Sequence, residues 1–274
     1  MAAMKPLAID LFCGLGGWTE GLLAEGYDVI GFDIERHEYG EHRYPAQLVI
    51  QDVLTLHGSQ FKDADLIVAS PPCQEYSYMA MPWTRAKRIA AALRGANDFP
   101  DGYRGSRTLG ELTALFDSCF RIQREACEAA GRHIPLVVEN VKGAQPWVGR
   151  AQWNFGSFYL WGDVPALMPA PVKAHKNPGF RFDGSGRSFQ SESVKNSGGS
   201  WFNIGSPGQK VVGNNPDGRK NGNDWFGAGE NCSLQPMFGS KSSKRKAASA
   251  MIAKIPLPLS QHIAAVYLPD NVER

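Results

Sequence analysis

Cys73 stands directly behind two prolines in Pro71-Pro72-Cys73-Gln74-Glu75-Tyr76-Ser77, and this stretch follows the apolar run Asp65-Leu66-Ile67-Val68-Ala69. The run has strand character, and the prolines end it abruptly. A thiol is thereby presented on a stiff turn at the carboxyl end of a buried strand, where open α/β sheets keep their ligands and their chemistry. That makes Cys73 a candidate nucleophile, whereas most cysteines serve as small buried hydrophobes. A second apolar strand, Val137-Val138-Glu139-Asn140-Val141, ends in a carboxyl and an amide.

The elements that must position these groups start near the N-terminus. Leu7-Ala8-Ile9-Asp10-Leu11 runs as a strand into Phe12-Cys13-Gly14-Leu15-Gly16-Gly17, and helical spacing of Trp18, Leu22 and Leu23 follows. Glycines there let the backbone approach a ligand, and the helix start offers unpaired N–H groups. Asp28-Val29-Ile30-Gly31-Phe32-Asp33-Ile34-Glu35 is a second strand ending in an acid, suited to accept hydrogen bonds from a ribose. Leu48-Val49-Ile50-Gln51-Asp52-Val53 is a third, with Asp52 just past its end. Glycines, an acid and an acid at three successive strand ends point to an adenosine-containing ligand. A ligand-free tight turn and solvated turn acids are the competing readings of each one alone.

Asp10-Leu11-Phe12-Cys13-Gly14-Leu15-Gly16-Gly17, Phe32-Asp33, Asp52-Val53, Pro72-Cys73-Gln74 and Glu139-Asn140-Val141 follow one another in an order that resembles the DNA cytosine-5 methyltransferase family. Ile255-Pro256-Leu257-Pro258-Leu259-Ser260-Gln261-His262-Ile263-Ala264 is similar to the family's last motif, a helix returning to the cofactor site. The resemblance covers residues 7–141 and 245–268. It implies an α/β, Rossmann-like S-adenosylmethionine-dependent methyltransferase sheet with a small irregular target-recognition domain. It also implies S-adenosylmethionine as donor, held by Phe12, Gly14, Leu15, Gly16, Gly17, Asp33, Ile34, Asp52, Val53 and Pro72.

The chemistry implied explains the residue types. Cytosine C5 is a poor nucleophile, and a Cys73 thiolate adding to C6 makes it electron-rich. Glu139 would hydrogen-bond or protonate N3 as the thiolate adds, and Asn140 would fix the backbone of the cysteine turn. Neither C5 nor C6 is accessible in a stacked duplex, so the base must be flipped out.

Net charge is +2, unevenly spread. Residues 171–246 hold twelve Lys/Arg against five Asp/Glu, residues 1–170 fifteen against twenty, and the remaining tail is neutral. The basic segment also carries thirteen glycines and eight Phe/Trp, too many aromatics for a flexible linker. We read 1–170 plus 247–274 as the catalytic domain and 171–246 as a target-recognition region for double-stranded DNA. Arg85 and Arg88 in a basic helix over 85–94, Arg107 before the next helix, and Arg187 and Arg219 are candidate DNA contacts. Segment 78–108 is expected to close over the flipped base.

Five scattered cysteines argue for a reducing compartment and against a disulfide framework or zinc site. Cys119 and Cys127 fall on an apolar helix face. No apolar run spans a membrane and no signal-peptide pattern opens the chain, so we expect a cytoplasmic monomer without metal, in a bacterial or phage-infected cell. Two departures from the family stand out. Its Gln-x-Arg-x-Arg stretch, whose second arginine binds cytosine O2, is here Asn154 to Asp163 without an arginine pair, leaving Arg150, Arg181 or Arg187 as substitutes; the last motif lacks its Gly-Asn pair. Such compact forms resemble bacteriophage enzymes of restriction-modification type. Two other readings stand beside DNA methylation: the same chemistry on tRNA or with a modified donor, and a catalytically silent DNA-binding relative, against which the joint presence of Cys73 and Glu139 speaks.

Overall fold

The computed structural model describes residues 5–73, 76, 83–95, 109–168, 250 and 253–269. The core is a seven-stranded sheet. Its strands are β1 (Leu7–Leu11), β2 (Asp28–Asp33), β5 (Gln47–Ile50), β6 (Leu66–Ala69), β7 (Leu136–Asn140), β8 (Trp153–Phe155) and β9 (Phe158–Gly162). A separate hairpin is made of β3 (Glu38–Tyr39) and β4 (His42–Arg43). The order across the large sheet is β5-β2-β1-β6-β7-β9-β8. The first five strands run parallel, and β9 and β8 are antiparallel. This is a mostly parallel, Rossmann-like sheet of the kind found in S-adenosylmethionine-dependent methyltransferases, as expected.

Helices α1 (Gly17–Ala24), α2 (Trp83–Leu93), α3 (Leu109–Ala130), α4 (Gln145–Val148) and α5 (Leu257–Val266) complete the described elements, with short 3₁₀ turns at Val53–Thr55, Gly58–Phe61 and Lys142–Ala144. A parallel sheet covered on both faces needs strands without polar alternation. β6 and β7 meet that need, being buried at every position. On one face Ile9, Leu11, Phe32, Ile67, Ala69, Leu136 and Val138 pack with Leu112, Phe116, Cys119, Ile122 and Ala126 of α3. Cys127 is half-buried on that helix, close to the expected apolar face. Alternate residues of β1 point the other way, towards α1.

Helix α1 lies against α5 so closely that a Cβ at Gly21 would sit 2.4 Å from Ser260 Oγ. Tyr27 Oη, just before β2, donates to the Ala264 carbonyl at 3.1 Å, which fixes the C-terminal helix beside α1. Leu23, grouped above with the apolar spacing of α1, is instead 39 % exposed.

The chain divides into two compact units. One comprises residues 1–37, 44–169 and 257–274; the other comprises 38–43 and 170–256. Segment 171–246, with Arg181, Arg187 and Arg219, and, of the segment 78–108, positions 78–82 and 96–108, with Arg107, lie outside the described residues. No helix among the described residues is long and apolar enough to cross a membrane.

Candidate active site

Register lines up the carboxyl ends of five parallel strands. Asp33 pairs with Ile50, Leu11 with both Phe32 and Ala69, and Ala69 with Val138. Asp52, Asp33, the Phe12–Gly17 turn, the Ser70–Cys73 turn and Glu139-Asn140 therefore emerge along one edge. The connection order reverses between β1 and β6, and ligands of open α/β sheets bind at such a point.

On the β1 side the backbone is held in conformations that few residues adopt. Phe12 has φ 58°, and it is the described non-glycine residue with a positive value; Gly14 and Gly16 follow at 51° and 77°. Strain of this kind collects at sites where the surroundings dictate the backbone. A Cβ added at Gly14 would meet nothing within 4 Å, so the space above this turn is open. Leu15, Gly16 and Gly17 are buried, and Phe12 and Gly14 half-buried.

Asp33 is bound into this turn. Its Oδ2 accepts from Gly14 N–H at 2.9 Å and its Oδ1 from Ile34 N–H at 2.8 Å, with His37 Nε2 3.5 Å away. Burial alone would raise its pKa, but hydrogen bonds from His37, Gly14 and Glu35 outweigh burial and hold the carboxyl below its ordinary range. Ile34 beside it is 54 % exposed, an apolar face left open at a strand end. Asp52 accepts from Leu54 N–H at 3.0 Å and caps the 3₁₀ turn, while Val53 turns its side chain into the core. An open glycine turn, a carboxyl held below its ordinary range and an exposed aliphatic side chain thus stand together at the ends of β1 and β2.

On the β6 side, Cys73 is half-buried with its thiol outside any disulfide. Asn140 Nδ2 donates to the Pro71 carbonyl at 2.9 Å, and Asn140 Oδ1 accepts from Val141 N–H at 2.8 Å. Asn140 thus links the end of β7 to the turn after β6 by a buried hydrogen bond. Pro72 is half-buried within that turn, and Glu139 is 9 % exposed at the end of β7. Tyr76 N–H donates to the Cys73 carbonyl at 3.0 Å, and Tyr76 Oη to the Leu112 carbonyl at 3.1 Å, which ties the turn to α3.

The basic helix expected over 85–94 is α2, at 83–93. Lys87, Arg88 and Arg94 are exposed while Ile89 is fully buried; of Arg85 only the helical backbone is described. The stretch without the arginine pair forms the β8–β9 hairpin, turning at Gly156 with φ 59°. Arg150, just before it, is exposed.

Several groups escaped the sequence reading. Asp10 is fully buried, and its Oδ2 accepts from Thr19 Oγ1 at 2.6 Å. Thr19 Oγ1 lies 2.7 Å from Tyr44 Oη. Trp18 Nε1 donates to Ser70 Oγ at 3.0 Å, joining α1 to the residue that opens the cysteine turn. The available signal was an acid in the middle of an otherwise apolar strand; the partners Thr19 and Tyr44 carry none.

Residues 7–85 match the family model for C-5 cytosine-specific DNA methylase. No curated protein matches the chain. Among solved structures, a DNA modification methyltransferase encoded within a prophage of E. coli is 22 % identical over 51 % of this chain and 33 % of its own, with a TM-score of 0.33. The Entamoeba histolytica methyltransferase EhMeth is 17 % identical over 53 % of this chain and 41 % of its own, at 0.32. The S. pombe Dnmt2 methyltransferase is 17 % identical over 52 % and 36 %, at 0.25. The chain thus aligns with about a third to two-fifths of the length of these structures. Over residues 7–85, from the first strand through the cysteine turn to α2, the chain carries the pattern of the C-5 cytosine-specific DNA methylases.

Proposed function

We propose that this protein methylates C5 of cytosine in DNA, with S-adenosylmethionine as donor and Cys73 as nucleophile. The observation that carries the reading is the Asn140–Pro71 hydrogen bond, because it ties the turn bearing Cys73 to the strand bearing Glu139. Phe12, the turn Gly14–Gly17, Asp33, Ile34 and Asp52 would hold the donor, which supplies an electrophilic methyl group. Leu15 and Val53 would contribute packing beneath it, and Pro72 stiffness beside it.

The Cys73 thiolate adds to C6 of a flipped-out base, forming an S–C6 bond, while Glu139 gives a proton to N3. C5 is thereby made nucleophilic. Once C5 has taken the methyl group, with S-adenosylhomocysteine as the leaving product, N3 returns its proton to Glu139; water then takes the C5 proton, the C5–C6 double bond re-forms and the Cys73 thiolate leaves. A duplex must surrender the base for this, so exposed cations are needed along its path. Arg88 on α2 is one, and we assign Arg85, Arg107, Arg187, Arg219 and region 171–246 to the same task.

The hairpin lacking the arginine pair favours a second reading, in which the cytosine belongs to tRNA. One experiment separates the two. The protein is incubated with methyl-labelled S-adenosylmethionine and either duplex DNA or tRNA, and the products are digested to nucleosides. Label in 5-methyldeoxycytidine is the expected result. Label only in 5-methylcytidine makes RNA the substrate, and label in neither, with DNA bound, makes the protein a silent relative.

A further inference from the structure

The glycine turn is held from behind, by the buried side chains of Asp10, Thr19 and Tyr44. Helix α1 starts at Gly16, whose conformation is left-handed and which makes no side-chain cap bond. Helix starts ordinarily rely on a Ser, Thr, Asp or Asn cap to satisfy and orient the first turn. Here the first turn is held instead by Thr19, whose hydroxyl reaches back to Asp10 on β1 at 2.6 Å.

Tyr44 secures that hydroxyl from the other side, at 2.7 Å. The hydroxyl end of its ring lies against the backbone of β2, since a Cβ at Gly31 would sit 2.3 Å from Tyr44 Oη. Gly31 is the register partner of Asp10, so the tyrosine crosses β2 at the level of the acid. Pro45 continues the contact, because a Cβ at Gly16 would sit 2.5 Å from Pro45 Cδ and 3.1 Å from Tyr44 Cδ2. Two glycines thus make room for one Tyr-Pro pair. Thr19 and Asp10 are fully buried and Tyr44 is 8 % exposed. Among buried side-chain atoms, Asp10 Oδ1 has no hydrogen-bond partner, so the whole link of Asp10 to α1 runs through Oδ2 and Thr19.

We infer that Tyr44, Thr19 and Asp10 are positioning residues for S-adenosylmethionine, a clasp that holds the Phe12–Gly17 turn in its ligand-ready form. The inference rests on the methyltransferase reading above. Without the clasp, the positive-φ backbone at Phe12, Gly14 and Gly16 keeps the Asp33 bond to Gly14 above it but loses the support beneath. Part of its ordering would then fall to the ligand, and affinity would drop with the population of the ready form.

The test is the equilibrium binding of S-adenosylmethionine and of S-adenosylhomocysteine to the full chain by titration calorimetry. Melting without ligand is measured in parallel. Tyr44→Phe removes one hydroxyl and should weaken both ligands by about three- to tenfold. Thr19→Val severs the link to Asp10 and should cost about tenfold or more. Thr19→Ser keeps the hydroxyl and should stay within about twofold of the unaltered protein. In turnover assays KM for the donor should rise with kcat nearly constant. Unchanged affinity in both Tyr44→Phe and Thr19→Val overturns the inference. So does a lowered melting temperature without a loss of affinity, which would make the clasp merely structural. Should the unaltered protein bind neither ligand, the functional reading itself falls and this inference with it.

Discussion

The two sides of the strand-end cleft are built by different means. The β1–β2 side is held by two layers of side-chain bonds: Asp10, Thr19 and Tyr44 below, and the buried Asp33 on Gly14 above. The β6–β7 side hangs a proline-stiffened turn on the Asn140 amide and on Tyr76. Trp18 joins the two through Ser70. The difference teaches a division of labour. A donor site gains from a fixed shape, because each degree of freedom frozen beforehand need not be frozen on binding. A nucleophile that must add to a base and leave it again needs room to follow the ring, and a turn anchored at its root supplies that.

The largest effect separating the two sides is expected at Cys73. Cys73→Ala should abolish methyl transfer, because only a thiol at this place forms the C6 bond. Donor affinity should remain within a few fold, since the turn proposed to hold the donor lies on the other side. A duplex containing 5-fluorocytosine should trap the unaltered protein covalently, as fluorine at C5 cannot leave as a proton does. Residual methylation by the alanine variant would remove Cys73 from the mechanism.

Glu139→Gln comes next. The amide keeps the shape but cannot cycle a proton, so turnover should fall by about 10²–10⁴-fold, the usual worth of a positioned acid–base group. DNA affinity and donor affinity should both hold. A rise in KM alone, with kcat intact, would assign Glu139 to binding and blur the division between the sides.

Much of this was legible in the sequence, for a physical reason. Strand ends marked by prolines, glycines and acids announce themselves, and the resulting list of Cys73, Glu139, Asn140, Asp33 and Asp52 falls along one sheet edge. Asn140 was legible as a candidate because it ends an apolar strand, and its amide donates to the Pro71 carbonyl. Tyr44 was illegible. It lies 25 residues from Thr19, beyond the separate β3–β4 hairpin, and its contacts depend on glycines at 16 and 31 that read locally as turn and strand. Val53 follows an acid at a strand end and packs inward, because Asp52 starts a 3₁₀ turn. Segment 171–246 announced only its charge and aromatics, since without periodicity a sequence carries no register.

Asp10 offers a test of how firmly the β1 side is set. Burial raises its carboxyl to about 7 against the pull of the Thr19 hydrogen bond, and the charge on Asp33 adds to the rise. A carboxyl whose folded value exceeds its ordinary 3.8 holds its proton more tightly folded than unfolded. Its contribution to stability is therefore full below about pH 4, is lost as pH rises towards 7, and is flat beyond. The whole span is worth at most about 4 kcal/mol. Asp33 has the opposite sign: its lowered value stabilises above the ordinary carboxylate range, and that stability is lost as pH falls. Asp10→Asn removes only the first slope. Denaturant unfolding of both proteins at pH 4.5 and pH 8 should show the unaltered chain losing stability relative to the variant at the higher pH. A difference that does not change with pH would mean that Asp10 does not carry a proton into the fold.

The smallest expected effect lies in the tie of the β6–β7 side. Asn140→Ala deletes the donor to Pro71 and leaves that carbonyl buried without it, a cost of about 1–3 kcal/mol in stability. Asn140→Asp is the sharper variant, because it keeps the size and the acceptor for Val141 N–H but turns the donor into a second acceptor facing the Pro71 carbonyl. If the cysteine turn depends on this bond for its placement, Asn140→Asp should lower kcat at least as much as Asn140→Ala does. Donor affinity should be indifferent to both, since Trp18 and Ser70 still connect the two sides. A parallel loss of donor affinity would show that the sides act as one body, and that the division drawn from their hydrogen bonds is too sharp.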